Sequence, residues 1–337
     1  MKDFTYYEKQ EYSLMQQYEN IRKELPGFIR LFLHQLKGRP QTLRDRAYDY
    51  LSFLQYLQIA NPLFHGINTV DISVDNFSEI VSDDINQYIQ SLTEKFSNHS
   101  INRKISSLRI LFRYLSLRGD IPYNPSEGIS RLEVKNQKTT VLEAEEISQL
   151  LDCILSGKFP YATERQKRFL GKTRERDAAI LMLILNTGIH VEECIGLDLS
   201  DVNPEKRYIY VKNKNGIQKI YINQLTASTL QSYICGSRTK LSDGKETALF
   251  LSSRKPKRIS KDALYNMIHK YGEYMGISIN LTPYCMRKTY GTLLYEKTGD
   301  LQGVQERLRY ARVETASKNC VRKESQSEKS LGDINLY

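Results

Sequence analysis

The chain has 337 residues, a net charge of +10 at pH 7 and a pI near 9.1, with 40% hydrophobic and 26% charged residues. This length predicts two domains, each able to bury its own core. The five cysteines form no CxxC pair and their number is odd, which argues against a disulfide framework or zinc site and predicts a cytosolic protein without metal or cofactor. The polar N-terminus predicts no signal peptide, and the longest apolar run, Ala178 to Leu185, is too short to span a bilayer.

The N-terminal elements predict a helical region. Apolar spacing predicts one helix up to about residue 36, which Gly38-Arg39-Pro40 interrupts. Thr42 then predicts the N-terminus of a new helix, as a cap whose partner is Asp45. Residues 60–82 are rich in Asn, Pro, Gly and Asp and therefore predict a loop.

Two more helices are predicted, at about 83–96 and at Ser100–Arg118. In the second, apolar residues recur every three or four positions, and no acidic residue lies between Ser100 and Gly119. The basic residues that lie off this apolar stripe are Arg103, Lys104, Arg109, Arg113 and Arg118. A face of one sign without acidic partners indicates contact with DNA or RNA, and the alternative is an ordinary solvated face. Residues 131–140 then predict a polar, basic linker.

The second half predicts a mixed domain, and the chain as a whole a mainly α fold with a small β-hairpin or sheet (α+β). Two strands, Tyr208–Val211 and Lys219–Ile222, flank Asn215-Gly216, which is typical of a hairpin turn. The other predicted elements are helices at 141–151, 176–186, 191–197, 225–233, 260–274, 282–298 and 301–311, a short strand at 249–251, an exposed basic loop at 254–258 and a polar tail at 315–337.

Several stretches together resemble the tyrosine recombinases, the phage-integrase family. The last of them corresponds to a family pattern LGH…(E)TTxxYxR, in which the Tyr attacks DNA. The similar stretches, in chain order, are TLRDRAYDYLSFLQYL (Thr42–Leu57), SINRKISSLRILFRYLSLRGDIPYNP (Ser100–Pro125), VLEAEEISQLL (Val141–Leu151), TGIHVEECIGLDLSDVN (Thr187–Asn203), LTPYCMRKTYGT (Leu281–Thr292) and VQERLRYARVETASKNCVRK (Val304–Lys323). The resemblance implies a helical core-binding domain at 1–130, a linker at 131–140, an integrase-like catalytic domain at 141–322 and a tail at 323–337.

The resemblance also implies a set of site positions, most of which have changed. In the family, two Arg, a Lys and two His (or His and Trp) hold the scissile phosphate, and a Tyr forms a covalent link to it. The matching residues here are His190, Lys214, Tyr284, Arg287, Tyr310 and Cys320. Only Lys214 and Arg287 keep the family residue type, so we expect strand cleavage to be lost. Structural interpretations stand beside these: Cys320 as a small buried apolar residue, Arg287 in an internal ion pair, and Glu193, the acidic residue after the first Arg position, as structural.

These observations predict a sequence-specific, double-stranded DNA-binding transcriptional regulator, a phage or mobile-element repressor in the bacterial cytosol and nucleoid. An active recombinase using Cys320 or Tyr310, and an accessory protein beside an active partner, are the alternatives. The predicted DNA contacts are Arg44, Arg46, Arg103, Lys104, Arg109, Lys214, Arg254, Lys257, Arg287 and Lys288. The other expected partners are a second copy of the chain, bound weakly through Leu331, Ile334, Leu336 and Tyr337 of the tail, and a peptide or protein antagonist; no membrane is expected.

Overall fold

The computed structural model describes residues 5–134, 141–213, 216–277 and 280–320. The chain divides into two compact units, Met1–Gln137 and Lys138–Tyr337. In the part of the chain that is described, no helix has the length and apolar character needed to cross a membrane. The expected boundaries at residues 130 and 141 remain predictions, and residues 135–140 of the expected linker lie outside the described residues.

The first unit is helical, as its apolar spacing predicts. Its aromatic core contains Phe77 stacked on Phe112 at 5.3 Å, with the Phe53 ring edge-on to Phe112 at 6.1 Å. The long helices bury one face each because their apolar side chains recur at helical spacing. The helices are α1 (Tyr6–Lys23), α2 (Gly27–Gln35), α3 (Pro40–Ala60), α4 (Val74–Ser78), α5 (Ser82–Leu92) and α6 (Asn98–Leu117).

Prolines set two boundaries that the sequence interpretation misplaced. The single helix expected up to residue 36 is two helices, and Pro26 caps the second of them. Helix α3 begins at Pro40, with Arg39 as its N-cap, so Thr42 lies inside the helix and does not cap it. Proline is favoured at the first helical position because the N–H that it lacks would have no partner there.

The second unit surrounds a small antiparallel sheet with helices, so the prediction of a mainly helical fold with a small sheet is confirmed. Strand order is β1-β2-β3, and β2 pairs with β3 from Tyr208 opposite Tyr221 to Asn213 opposite Gly216. The strands are β1 (Val202–Asn203), β2 (Tyr208–Asn213) and β3 (Gly216–Tyr221). The helices are α7 (Ala144–Ser156), α8 (Glu164–Thr187), α9 (Val191–Gly196), α10 (Gln224–Tyr233), α11 (Thr239–Leu241), α12 (Lys261–Met275), α13 (Pro283–Thr298), α14 (Leu301–Leu308) and α15 (Val313–Cys320).

Three local predictions in this unit need correction. The apolar helix expected at 176–186 begins earlier, because Thr163 and Gln166 form a capping box at the start of α8. The expected strand at 249–251 contains a single isolated bridge, between Leu251 and Arg258. The expected loose tail from Thr315 is helical through Cys320, and residues 321–337 lie outside the described residues.

Candidate functional site

The turn after α8 brings three segments of the second unit together. Gly188 ends α8 in the left-handed region, with φ 56°. A Cβ atom at Gly188 would lie 2.6 Å from Tyr290 Cδ1 and would also collide with Leu308. Glycine is therefore required both for the backbone conformation and for the close approach of this turn to α13 and α14.

Arg287 on α13 is the buried centre of these contacts. Its Nη1 donates to the Gly188 carbonyl and its Nη2 to the Leu308 carbonyl. The guanidinium also lies 5.1 Å from the centroid of the Tyr310 ring. Burial lowers the pKa of Arg287, and the neighbouring Tyr310 opposes that shift. The internal partners are thus backbone carbonyls and an aromatic ring, and not the ion pair that the sequence suggested.

His190, which the resemblance matches to the first Arg position of the family, lies beside the carboxylate of Glu192. It caps α9, its side chain is 54% exposed, and its Nδ1 pairs with Glu192. Lys261 also pairs with Glu192. Burial alone would raise the pKa of Glu192, but the hydrogen bonds from His190 and Lys261 lower it to about 2. His190 therefore belongs to a partly exposed polar cluster with Glu192 and Lys261.

Glu193 is the best-connected side chain of the site. It accepts hydrogen bonds from the His190 backbone N–H at 3.0 Å and from Asn213 Nδ2, at the end of β2, at 3.0 Å. Arg309 contributes its Nε at 3.2 Å and its Nη2 at 2.7 Å, and both side chains of this pair are less than 10% exposed. The carboxylate therefore joins α9, the hairpin and the end of α14.

Sequence reasoning missed Arg309, although one signal was present. The pattern LGH has glycine at this position, and the chain has arginine. Arg309 takes that residue's left-handed conformation, with φ 56° and ψ 36°. A residue with a Cβ atom pays roughly 1–2 kcal/mol for this conformation, so its side-chain contacts must offset the cost.

Tyr284 and Tyr310, at the two His positions, lie near α15. Tyr284 is 41% exposed and its hydroxyl donates to Asn319 Oδ1 at 3.0 Å. Burial raises the pKa of Tyr284 and of Tyr310, and Arg287 opposes both shifts. Neither hydroxyl ionises near neutral pH, so neither shuttles protons there as an imidazole does.

Cys320 packs into a small apolar cluster, whereas the hydrogen bond of Tyr284 is made with Asn319. It is 1% exposed, and a Cβ atom at Gly291 would lie 2.5 Å from its Sγ. Burial raises the pKa of Cys320 to about 11, although Lys288 and Arg287 oppose the shift. The buried side chains of this cluster are Tyr290, Leu294, Val304, Leu308, Ala316 and Cys320.

Asn319 is the α15 side chain that contacts Tyr284. Counted from Glu314, the pattern (E)TTxxY also reaches residue 319, one position before the expected Cys320. Asn319 is half-buried and Cys320 is buried, because residues 316 and 320, four apart, form the inner face of the helix. Lys214, the remaining family position, lies outside the described residues.

Much of the predicted basic face of α6 is occupied within the first unit. Arg103 binds both oxygens of Asp49 on α3, at 2.7 and 2.9 Å, and Lys104 is buried with its Nζ 3.2 Å from the same carboxylate. Arg109 donates to the Ile129 carbonyl. The acidic partner that α6 lacks along its own length is therefore supplied by another helix, and contact of these basic residues with DNA stays a prediction.

The other predicted cations differ in how accessible they are. Arg44 is half-buried and donates to Asp45 and to Gln17, whereas Arg46 is half-buried without a salt bridge among those of the described residues. The remaining predicted contacts are exposed Arg254, exposed Lys257 and half-buried Lys288.

Comparison with known proteins places this geometry in a family. The model of the phage integrase family matches residues 140–325. Tyrosine recombinase XerC of Roseiflexus sp. (strain RS-1) is 27% identical over 242 residues, which cover 70% of this chain and 73% of that protein. Tyrosine recombinase XerS of Streptococcus agalactiae serotype III is 26% identical over 337 residues, covering 88% of this chain and 92% of its own.

Solved structures share the fold at lower identity. The XerH site-specific recombinase bound to difH substrate, in a pre-cleavage complex, has a TM-score of 0.61 and 18% identity, with 93% of each chain covered. A lambda integrase dimer bound to a COC′ core site has a TM-score of 0.60 and 16% identity, covering 95% of this chain and 99% of that one.

The expected main function is wrong in the light of these comparisons. The relatives are named tyrosine recombinases and the structural neighbours site-specific recombinases, which favours the recombinase alternative over a transcriptional repressor. With the family model matching more than half of the sequence, the chain belongs to the phage integrase family, the tyrosine recombinases.

Proposed function

We propose that the chain binds double-stranded DNA and acts in site-specific recombination as an accessory subunit that does not itself cleave the strand. Membership of the tyrosine recombinases supports the DNA substrate and the recombination role. The geometry of the second unit supports the loss of cleavage. The proposal assigns the first unit to the core-binding domain and the second to the catalytic-like domain, and places the protein on DNA in the cytosol.

One observation carries the loss of cleavage: among the residues that the structure describes, no activated nucleophile lies beside Arg287. The Cys320 thiol is buried in an apolar cluster and has a pKa of about 11, so roughly one molecule in ten thousand carries a thiolate at pH 7. Asn319 carries an amide, which is not a nucleophile for phosphorus. The pKa values of Tyr284 and Tyr310 are raised, and within the described part of the chain neither hydroxyl is hydrogen-bonded to a carboxylate or an imidazole.

The positive groups needed for phosphoryl transfer are depleted as well. A transition state of this kind needs donors aimed at the charge that grows on the non-bridging oxygens, and an arginine finger contributes a factor of about 10³–10⁵ in rate. His190 is engaged with Glu192, and Arg287 donates to two backbone carbonyls. A site so depleted is better suited to holding DNA than to cleaving it.

The proposed DNA contacts are the accessible cations. Arg254 and Lys257 project from an exposed loop, whose neighbour Arg258 anchors it by donating to the Ile195 and Leu197 carbonyls at 2.6 and 2.9 Å. Arg46 is the corresponding candidate on α3. The proposal also includes Lys214 and Lys288 as DNA contacts. It further includes self-association on DNA through residues beyond Cys320, and a peptide or protein antagonist.

The test uses the full chain with DNA that it selects from a random duplex library. The selected sequence is then built with a nick that traps a covalent intermediate, and an active tyrosine recombinase with its own nicked site serves as the positive control. We expect sequence-dependent binding at physiological salt and no protein–DNA band that survives denaturation. A covalent band that disappears in Cys320→Ala or Tyr310→Phe would overturn the loss of cleavage.

A second measurement tests the recombination role itself. Sequencing the DNA that is cross-linked to the protein in cells reveals where it binds. We expect paired, inverted half-sites at recombination junctions. Binding confined to promoters without such pairs would contradict the accessory role.

A further inference from the structure

This site differs from the family pattern at two positions, one that lacks the expected arginine and one that carries an unexpected arginine. Position 190, which carries the first Arg in the resemblance, is His190, and position 309, glycine in the pattern LGH, is Arg309. The two positions meet on one carboxylate. The His190 backbone N–H donates to Glu193 Oε2 at 3.0 Å, and Arg309 Nη2 donates to the same oxygen at 2.7 Å.

The Arg309 side chain is nearly buried and forms hydrogen bonds with defined partners. Nε and Nη2 bind the two oxygens of Glu193, and Nη1 donates to the Arg307 carbonyl at 2.8 Å. These three bonds leave donor capacity on a guanidinium, which has five N–H groups. A lysine has a compact ammonium group and does not reproduce this bidentate pairing with a carboxylate.

The charge balance of the site depends on Arg309. Arg287 lies close enough to Arg309 and Glu193 that the charge of each acts on its pKa. Arg309 and Glu193 cancel one another, so the charge of Arg287 is left to act on an incoming anion. Without Arg309, the Glu193 carboxylate would neutralise Arg287 and repel a phosphate.

We propose that Arg309 is a phosphate-positioning residue, which restores from the end of α14 the positive charge that position 190 has lost. It does so by neutralising Glu193 through the paired hydrogen bonds described above, so that the charge of Arg287 remains available to the phosphate. The ligand is a phosphate of the DNA backbone, and the inference therefore rests on the proposed function.

The test measures affinity for the selected duplex by fluorescence anisotropy between pH 5 and pH 8. Arg309→Gly suits the left-handed backbone, and we expect it to weaken binding about tenfold at pH 8 through the loss of one charge-assisted interaction. Affinity should recover towards pH 5 as the unpaired Glu193 takes up a proton. The unmodified chain should show no such recovery, because Arg309 holds the pKa of Glu193 low against the opposing effect of burial.

Two double variants separate a charge role from a structural one. In Glu193→Gln with Arg309→Gln both charges are removed, and we expect affinity within about threefold of the unmodified chain. In His190→Arg with Arg309→Gly the guanidinium returns to position 190, and we expect at least partial recovery. Thermal unfolding of every variant identifies those that are folded at the temperature of the binding assay.

The outcomes distinguish this inference from the function on which it rests. If the unmodified chain binds no preferred duplex, the proposed function fails and the role of Arg309 fails with it. If the unmodified chain binds but folded Arg309→Gly has the same affinity at every pH, only the role of Arg309 is rejected. The same rejection follows if Arg309→Gly binds weakly but the charge-free double variant binds no better.

Discussion

Asp49 in the first unit and Glu193 in the second are both buried carboxylates that bind several donors, and they differ in which donors they bind. The Asp49 side chain is fully buried and binds two cations, Arg103 and Lys104. Glu193 is slightly exposed and binds one cation, Arg309, together with an amide and a backbone N–H. Asp49 thus pairs with two cations that the sequence assigned to DNA, whereas Glu193 pairs with Arg309.

This difference shows what a run of basic residues in a sequence does and does not indicate. The cations of α6 have no acidic neighbour along the helix, yet Asp49 lies more than fifty positions away in the chain and pairs with two of them. Around Glu193, by contrast, the informative residue is a single Arg309 in an unusual backbone conformation. Charge along a helix is therefore weaker evidence for a polyanion than charge left over after tertiary pairing.

The largest expected effect is at Asp49. Asp49→Asn leaves the nearly buried Lys104 without its counter-ion, and we expect the free energy of unfolding to fall by about 3–5 kcal/mol. Urea titration followed by circular dichroism measures the loss. Asp45→Asn is the matched control, since it breaks a partly exposed pair with Arg44 and should cost about 0–1 kcal/mol. Equal losses in the two variants would show that the buried ion pairs of Asp49 stabilise the unit no more than the partly exposed pair of Asp45 does.

The second effect concerns helix α15, which packs against α13 and contains Asn319 and Cys320. Cys320→Tyr forces a ring into the space against Gly291, and overpacking should lower the free energy of unfolding by about 3 kcal/mol. Asn319→Tyr places the same ring at a half-buried position and should cost less than about 1 kcal/mol. The comparison is made by urea titration of both variants. A well-tolerated Cys320→Tyr would mean that residue 320, and not 319, faces the site.

A smaller effect is expected at Glu193. Glu193→Gln removes the charge partner of Arg309, and we expect a loss of about 2 kcal/mol at pH 7. The lowered pKa of Glu193 sets the pH dependence: its stabilisation is fully present above the unfolded value of about 4.3 and is lost as pH falls through the lowered native value. Unfolding curves of both proteins should therefore converge in acid. A difference that stays constant down to pH 2 would contradict a charge interaction.

The smallest effect is expected at Glu192. Its ion cluster with His190 and Lys261 is more than one-third exposed, so Glu192→Gln should cost no more than about 1 kcal/mol near neutral pH. Its pKa of about 2 means that this small stabilisation is present above about pH 4.3 and disappears as pH approaches 2. Thermal unfolding across that range provides the measurement. A cost larger than that of Glu193→Gln would reverse the ranking of the two carboxylates.

Local pattern was sufficient for many of the elements. Helix α6 differs from its prediction by two residues at its start and one at its end. The two hairpin strands were located by alternation, but Gly216, which was expected in the turn, is the first residue of β3 and pairs with Asn213. Errors occurred where one residue overrides a local pattern, as Pro26 does when it separates α1 from α2. The prediction of a strand at 249–251 was wrong because an extended strand needs a partner along its length, and a short apolar run does not reveal whether one exists.

The sequence by itself predicted the family and the mainly helical class, and the resemblance implies that the residue types at positions 190, 284 and 310 have changed. Tertiary structure alone decided which charges remain available, because ion pairs such as Arg103 with Asp49 and Arg309 with Glu193 join residues far apart in the chain. It also decided that Cys320 is buried while Asn319 contacts Tyr284. The physical reason is that burial and pairing depend on which surfaces meet, and a helical period records only which side chains share a face.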